Sequence, residues 1–276
     1  MTSNLLNSLV NRDSFSAEAF LLDGDGVLYR GAQPLPGAQE FLTLLADSNT
    51  PYLLLTNNAT RTPRNMAEKL TALGFAIAPE HIFTSAQATA QWLGDRYPAG
   101  SRILIVGMEG LAVALQDAGY EIVDDYRETD LVVASMDLAI NYPKLAEAAL
   151  AIRRGCPFIG TNPDRSYPEE RGIVPGAGSI IALLETATDV SPVFIGKPQP
   201  EMFLQALERI GRHPGETVMV GDRYETDILG GHQAGLRTAA VLTGITTAEE
   251  FAAANPPPTH VFPGLPDLMV AWQNAG

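Results

Sequence analysis

The sequence has a single cysteine, few basic residues and no long apolar run, and each shortage excludes a class of protein. Because Cys156 stands alone, an internal disulfide and a cysteine-rich metal site are both excluded. Lys and Arg number 18 against 32 Asp and Glu, a formal net charge of −14, which argues against binding to nucleic acid or to an anionic membrane surface. No apolar stretch is long enough to cross a bilayer, and residues 1–13 lack the features of a secretory signal. We therefore expect a cytoplasmic protein.

The rest of the composition is that of a globular protein, 46% hydrophobic and 18% charged. Short apolar runs alternate with stretches whose apolar residues have helical spacing, a pattern that predicts βαβ units and parallel sheets. The runs predicted as strands are residues 20–22, 51–55, 102–107, 130–135, 157–160, 193–196, 217–221 and 237–242, before a final strand and helix. The predicted helices between them include residues 38–45, 62–70, 86–96, 110–118 and 143–154. The fold class is therefore α/β.

Two carboxylates follow the first apolar run directly, as Asp23 and Asp25 with a glycine after each. Two nearby carboxylates repel each other, and one takes up a proton unless a cation or hydrogen bonds keep both ionised. The pattern is typical of a divalent metal site, of an acid/base pair, or of both together. The plain alternative is an Asp-Gly turn at the end of a strand.

Polar residues also follow three later predicted strands. They are Thr56-Asn57-Asn58, Lys197, and Asp222 with Asp227. Because the carboxyl ends of parallel strands face one crevice, we expect these side chains to lie near the first carboxylates. Carboxylates suit Mg²⁺, which prefers six oxygen ligands, while a lysine and a threonine hydroxyl can hold phosphate oxygens. An aspartate can attack phosphorus, and Asp25 is best placed as the acid/base partner, so the sequence predicts phosphoryl transfer.

Four segments together resemble the four motifs of the haloacid dehalogenase (HAD) superfamily. They are Asp23-Gly24-Asp25-Gly26-Val27, Thr56-Asn57-Asn58, Gly196-Lys197-Pro198, and Gly221-Asp222-Arg223 with Asp227. The sequence is most similar to the class IIA members, the NagD-like and 4-nitrophenylphosphatase-like phosphatases. The resemblance covers nearly the whole chain and extends to Thr161-Asn162-Pro163-Asp164 and Pro175-Gly176-Ala177-Gly178-Ser179.

The resemblance implies a Rossmann-like HAD core of residues 1–85 and 182–276, with an α/β cap of residues 86–181 inserted into it. It implies that Asp23 is the nucleophile and Asp25 the general acid/base. It also implies a Mg²⁺ ion bound by Asp23, the backbone carbonyl of Asp25 and Asp222, with Asp227 in the outer shell. The remaining implied roles are binding of the phosphoryl group by Thr56, Asn57 and Asn58, and its stabilisation by Lys197.

The cap loop at residues 164–168 is the place where related phosphatases meet their substrate. Arg165 and Tyr167 are therefore candidates for residues that select the substrate. The alternative, of equal weight, is that this is an ordinary solvated loop. Nucleotides, sugar phosphates, phosphoglycolate and pyridoxal phosphate all remain open as substrates. Because caps of this subfamily often mediate dimers, the resemblance is compatible with a homodimer formed through the cap.

Other classes fit less well. A response-regulator receiver also combines a phosphorylated Asp, a metal, a Thr and a Lys, but receivers are far shorter. A phosphomutase of the same superfamily usually has its cap between the first two motifs, where only a short segment separates Asp25 from Thr56. Of the glycines after the first strand, the third, Gly31, falls too late for a dinucleotide-binding fingerprint. The segment is also not an EF-hand loop, because it lacks the glycine and the closing glutamate that such a loop needs. We therefore expect a Mg²⁺-dependent phosphatase that hydrolyses small phosphate monoesters.

Overall fold

The structure is a computed structural model that describes residues 15–169 and 171–275, without the side chains of Pro168 and Glu169. The expectation about residues 1–13 lies outside the described part. The strands are β1 (Ala19–Leu22), β2 (Tyr29–Arg30), β3 (Gln33–Pro34), β4 (Tyr52–Thr56), β5 (Ile82–Thr84), β6 (Arg102–Val106), β7 (Glu121–Val123), β8 (Leu131–Ala134), β9 (Phe158–Gly160), β10 (Ser166–Glu169), β11 (Gly172–Pro175), β12 (Val193–Phe194), β13 (Thr217–Gly221), β14 (Arg237–Val241) and β15 (His260–Phe262).

The α-helices among the described residues lie between these strands and at the end of the chain. They are α1 (Ala38–Asp47), α2 (Pro63–Ala72), α3 (Ser85–Gly94), α4 (Glu109–Asp117), α5 (Tyr142–Arg153), α6 (Ala177–Thr188), α7 (Pro200–Ile210), α8 (Leu229–Gln233), α9 (Ala248–Ala253) and α10 (Leu265–Gln273). A π-helical turn, Tyr224–Ile228, leads into α8. The predicted α/β class is confirmed.

Local sequence explains most of the element boundaries. Helix α2 begins where predicted, because the Thr62 hydroxyl accepts the backbone N–H of Asn65 at 3.1 Å and a proline occupies the first position. Gly74 ends this segment in the left-handed conformation, with φ +90°. The run at residues 193–196 is shorter than expected, since only Val193–Phe194 pair as a strand.

The chain divides into two compact units. The first contains Met1–Leu55, Lys69–Ile82 and Phe203–Gly276, and the second contains Thr56–Glu68 and Phe83–Met202. The core and cap boundaries implied by the resemblance stay a prediction. The second sheet described below falls in sequence between β5 and β13.

A six-stranded sheet in the order β15-β14-β13-β1-β4-β5 supplies most of the strands of the first unit. Strand β1 is parallel to both of its neighbours, with Leu22 opposite Val220 on one side and Leu54 on the other. All four residues of β1 are buried, as expected for a parallel strand covered on both faces. The ring of Phe20 packs edge-on against Phe41 and Trp272. This packing fixes the central strand that ends immediately before Asp23.

The second unit has its own five-stranded parallel sheet, in the order β12-β9-β8-β6-β7. Helices α5 and α6 pack on this sheet through buried residues such as Ala148, Ile152, Ile181 and Leu184. Cys156 is buried in the same cluster, in agreement with a structural thiol. Strands β10 and β11 form a separate antiparallel hairpin. Within the described ranges, every helix is too short or too polar to traverse a bilayer.

Candidate active site

Three carboxylates of the first unit converge at the carboxyl ends of neighbouring strands. Asp23 follows β1, Asp222 follows β13, and Asp227 lies in the π-helical turn beyond β13. The backbone N–H of Asp23 donates to the carbonyl of Val220 at 2.9 Å, so the two strand ends are side by side. One oxygen from each of the three carboxylates lies within 4.8 Å of the others. The sequence-based grouping of these three aspartates is therefore seen in the structure.

The chemistry of this group fits a divalent metal ion. Asp222 and Asp227 are almost fully buried, and three ionised carboxylates so close together repel strongly unless a cation or a proton offsets their charge. Carboxylate oxygens are the ligands of hard cations such as Mg²⁺, Mn²⁺ and Ca²⁺. Within the described part of the chain, this is the one group of three or more His, Cys, Asp or Glu residues with suitable spacing.

The carboxylate of Asp222 is held by a loop that follows β14. The backbone N–H of Ile245 donates to its Oδ2 at 2.8 Å, and the N–H of Thr246 donates to its backbone carbonyl at 3.1 Å. A Cβ added at Gly244 would lie 1.8 Å from Oδ2, and one at Gly26 would lie 2.4 Å from the carboxylate carbon. Because nonbonded atoms do not approach so closely, both glycines are required for Asp222 to occupy this position.

Asp227 is held in the same manner, by a backbone donor and a nearby glycine. Its Oδ2 accepts the backbone N–H of Arg223 at 3.1 Å. A Cβ at Gly221 would lie 2.2 Å from the Cβ of Asp227. The π-helical turn Tyr224–Ile228 brings this side chain back toward the end of β13.

Asp25 is not a member of this group of three carboxylates; its backbone forms a bridge with Tyr29, the first residue of β2. Burial raises the pKa of its carboxyl group, while a hydrogen bond from the Gly31 backbone and the charges of Lys69, Arg30 and Arg223 partly oppose that rise. A half-buried carboxyl group with a raised pKa has the property that a proton donor needs. The role implied for the backbone carbonyl of Asp25 in metal binding stays a prediction.

Arg30 and the loop after β14 were not identified from the sequence. The Arg30 guanidinium donates to the backbone carbonyl of Thr243, and the Thr243 hydroxyl donates to the carbonyl of Gly26 at 2.6 Å. The β2–β3 hairpin, the first motif and the Asp222 loop are thereby joined. The sequence did contain a signal for this loop, the pair Thr243-Gly244 directly after the predicted strand 237–242. The other motifs were recognised from the same kind of position.

In the second unit, Thr56, Asn57 and Asn58 lie at and just beyond the end of β4. The Thr56 hydroxyl accepts the backbone N–H of Asn58 at 3.1 Å. The Asn58 side chain accepts from both the backbone N–H and the hydroxyl of Thr60, at 2.9 and 2.7 Å. Asn58 therefore shapes the turn, and its predicted contact with phosphate remains a prediction.

Asn57 and Lys197 are brought together, but through the backbone of the lysine. The side-chain amide of Asn57 donates to the backbone carbonyl of Lys197 and to the Asp164 carboxylate, each at 3.0 Å. The side chain of Lys197 is almost completely buried. The distances from these residues to Asp23 stay a prediction.

Arg165 and Tyr167 lie on the loop and hairpin that begin after β9. Arg165 is exposed, and its backbone carbonyl accepts the N–H of Gly176 at 3.0 Å and the hydroxyl of Ser179 at 2.6 Å. Tyr167 pairs with Val174 in the β10–β11 hairpin. Their predicted contact with substrate stays a prediction.

Comparison with known proteins identifies the family. A protein-family model described as haloacid dehalogenase-like hydrolase matches residues 20–121, and a second family model, described as HAD-hydrolase-like, matches residues 194–268. The acid sugar phosphatase of Staphylococcus aureus strain USA300 is 42% identical over 252 residues, which cover 91% of this chain and 96% of that protein. The chain belongs to the haloacid dehalogenase superfamily.

Two solved structures place this HAD protein within the superfamily. The glycerol phosphate phosphatase Rv1692 of Mycobacterium tuberculosis, solved with magnesium, superposes with a TM-score of 0.87 at 38% identity, covering 92% of this chain and 76% of that one. NagD of Escherichia coli K-12 gives 0.84 at 33% identity, covering 91% and 98%. The predicted NagD-like, class IIA membership is confirmed, and so is the predicted enzyme class, a phosphatase.

Proposed function

We propose that this phosphatase depends on Mg²⁺ and hydrolyses small phosphate monoesters through an aspartyl-phosphate formed on Asp23. The observation that carries the proposal is the approach of the Asp23, Asp222 and Asp227 carboxylates to within 4.8 Å of one another. Such a group needs a cation or a proton to offset its charge, and one of its members, Asp23, is of a residue type that can attack phosphorus.

The metal would be held by Asp23, Asp222 and the backbone carbonyl of Asp25, with Asp227 in the outer shell. A bound Mg²⁺ offsets the repulsion among the carboxylates and the charge of the phosphate. The hydrogen bonds that Ile245 and Arg223 donate to Asp222 and Asp227 orient both carboxylates before any ion arrives. The structures of Rv1692 with magnesium and with calcium support a divalent cation at this site.

The proposed reaction has two steps, each with its proton accounted for. The Asp23 carboxylate attacks phosphorus, the ester P–O bond breaks, and protonated Asp25 gives its proton to the leaving alkoxide. The Asp25 carboxylate then takes a proton from water, whose oxygen attacks phosphorus and breaks the bond to Asp23. Inorganic phosphate leaves, and Asp25 is again protonated.

Lys197 and the residues after β4 would bind the phosphoryl oxygens. The Thr56 hydroxyl and the Lys197 ammonium are donors suited to the charge spread over these oxygens during transfer. Asn57 would contribute its backbone N–H, because both N–H groups of its side-chain amide donate within the second unit. Asn58 would take part through the turn it shapes.

We assign the substrate to the class of small sugar or polyol phosphates. The support is that similar proteins carry the names acid sugar phosphatase and glycerol phosphate phosphatase. Arg165 and Tyr167 are proposed selectors of the leaving group, on a cap of residues 86–181 inserted in a core of residues 1–85 and 182–276. A homodimer formed through that cap is proposed as the assembly.

The proposal is tested by trapping the intermediate and titrating the metal. After rapid acid quenching of the wild-type enzyme during turnover of 4-nitrophenyl phosphate, tandem mass spectrometry should find the phosphoryl group on Asp23. In parallel, Asp222→Asn should require about 10–100-fold more Mg²⁺ for half-maximal rate, the size of effect typical of altered metal surroundings. A phosphoryl group on another residue would refute the assigned nucleophile, and an unchanged Mg²⁺ titration would refute the assigned metal ligand.

A further inference from the structure

A hydrogen-bond junction in the second unit centres on Asn57. Its side-chain Nδ2 donates to Asp164 Oδ2 and to the backbone carbonyl of Lys197, both at 3.0 Å. Its backbone carbonyl accepts from Ser85 Oγ and from Asn162 Nδ2, both at 2.8 Å. Asn57 is thereby joined to three segments that are distant in sequence.

The orientation of the Asn57 amide follows from its neighbours. Because Asp164 Oδ2 and the Lys197 carbonyl are both acceptors, the NH₂ group must face them. Oδ1 then faces Gly196, where an added Cβ would lie only 2.7 Å away, and it has no hydrogen-bond partner among the described residues. A buried acceptor without a partner is unfavourable, so the surrounding contacts impose this orientation on the amide.

The loop that supplies Asp164 is itself fixed. Asn162 is buried, and its Oδ1 accepts the backbone N–H of Asp164 at 3.1 Å. On the other side, the carbonyl of Asp164 accepts the N–H of Gly178, in the first turn of α6, at 2.8 Å. Asp164 therefore presents its carboxylate to Asn57 from a rigid support.

We propose that Asp164 and Asn162 are positioning residues for the phosphoryl-transfer step. They fix Asn57, and Asn57 in turn holds the backbone of Lys197, whose ammonium group the proposed function assigns to the phosphoryl oxygens. The inference rests on that proposed function. It gives the loop after β9 a task separate from substrate selection by Arg165 and Tyr167, because the junction acts on the reacting group common to all substrates.

A role in positioning predicts a particular kinetic signature. Donors that stabilise a transition state must be held in advance, and a displacement of about 1 Å can cost roughly 100-fold in rate. Loss of the Asp164 acceptor should therefore lower kcat about 10–100-fold and change KM by less than about threefold. A selector of the leaving group would instead alter KM differently for different substrates.

The experiment compares Asp164→Ala, Asp164→Asn and the control Asn141→Ala in the full chain with saturating Mg²⁺. An asparagine at 164 retains an oxygen that can accept from Asn57 Nδ2, so it should restore kcat to within about threefold of wild type. Asn141 caps α5 in the same unit by accepting the N–H of Lys144 at 3.0 Å. Its loss should lower the melting temperature without lowering kcat for 4-nitrophenyl phosphate.

Three results would overturn the proposal: a kcat for Asp164→Ala within twofold of wild type, an Asp164→Asn variant as slow as the alanine, or an equal loss in Asn141→Ala. Should Asp164→Ala not fold, Asn162→Asp removes the amide that donates to the Asn57 carbonyl and to the Thr161 hydroxyl, and retains the acceptor for the Asp164 N–H. It is expected to lower kcat similarly, and a wild-type kcat would also overturn the proposal. A wild-type enzyme without Mg²⁺-dependent turnover would refute the proposed function instead.

Discussion

The two parallel sheets of this protein share one architecture and differ in what stands at their strand ends. In the six-stranded sheet, β1 and β13 are followed by Asp23 and Asp222, whose carboxylates crowd together with that of Asp227. In the five-stranded sheet, β8 and β9 are followed by Ser135 and Thr161, and the Thr161 hydroxyl donates to Ser135 Oγ at 2.8 Å. Neutral hydroxyls satisfy each other, whereas crowded carboxylates need a cation or a proton to offset their charge.

The difference shows that a parallel sheet offers a place for chemistry without determining it. The carboxyl ends of strands bring side chains together in both units. In the first unit these residues are carboxylates that repel one another. Backbone N–H groups hold them and adjacent glycines leave room for them, so they are already oriented for a cation. In the other unit the residues directly after β8 and β9, Ser135 and Thr161, complete a buried hydrogen bond. Substitutions at equivalent positions should therefore have opposite consequences for activity and stability.

The largest expected effect is that of Asp23→Asn. An amide cannot serve as the nucleophile, so turnover of 4-nitrophenyl phosphate should fall by about 10³-fold or more. The melting temperature should not decrease, because removing one of three crowded carboxylates relieves repulsion. Release of 4-nitrophenol and thermal unfolding measure the two quantities. Near-normal turnover would show that the strand-end carboxylate is not the nucleophile.

Asp25→Asn should have a large effect that depends on the leaving group. A general acid contributes about 10²–10⁴-fold, mostly for an alkoxide that needs protonation. The rate with glycerol phosphate should therefore fall much more than the rate with 4-nitrophenyl phosphate, whose leaving group is a weaker base. Parallel steady-state assays on the two esters provide the measurement. Equal losses on both would argue against proton donation by Asp25.

The sequence indicated the place of the carboxylates and not the means by which they are held. Apolar runs followed by polar residues were enough to predict the strands and the grouping of Asp23, Asp222 and Asp227. The Thr243–Thr246 loop and the Asn57 junction depend on backbone hydrogen bonds between segments far apart in sequence, and such bonds leave no periodic pattern. The hairpins β2–β3 and β10–β11 and the short strands β5 and β7 were missed because they contain no long apolar run.

Helices α6, α7 and α9 were also missing from the prediction, although α6 and α7 each have ten or more residues. Helix α6 follows Gly176 and α7 follows Gln199, so neither start has the threonine-proline signal. In contrast, α2 was placed correctly, because a threonine cap followed by proline is a local signal. Local caps were readable from the sequence, whereas long-range support was not.

Gly244→Ala should produce a moderate effect by displacing Asp222. The new Cβ would lie 1.8 Å from the carboxylate oxygen, so either the loop or the carboxylate must move. We expect Mg²⁺ affinity to fall about 10–100-fold, in line with other changes around metal ligands. Calorimetric titration of Mg²⁺ measures this change without relying on activity.

The matched control for this substitution is Gly215→Ala. Gly215 also lies in the first unit, and a Cβ there would meet no atom within 4 Å. Mg²⁺ affinity should therefore be retained in the control. If Gly244→Ala bound the ion as tightly as the wild type, the glycine next to Asp222 would not be a condition for the metal site.

The smallest effect on catalysis is expected at the equivalent edge of the other sheet, with Ser135→Ala. The substitution removes the acceptor of the Thr161 hydroxyl in a fully buried position, which should lower the free energy of unfolding by about 1–3 kcal/mol. Turnover should stay within about twofold of wild type, because this pair contributes packing and a hydrogen bond and no charge. Urea unfolding and the 4-nitrophenyl phosphate assay measure the two quantities. A tenfold loss of turnover with unchanged stability would mean that the hydroxyl pair directly after β8 and β9 also serves the reaction, and the contrast between it and the carboxylates after β1 and β13 would no longer hold.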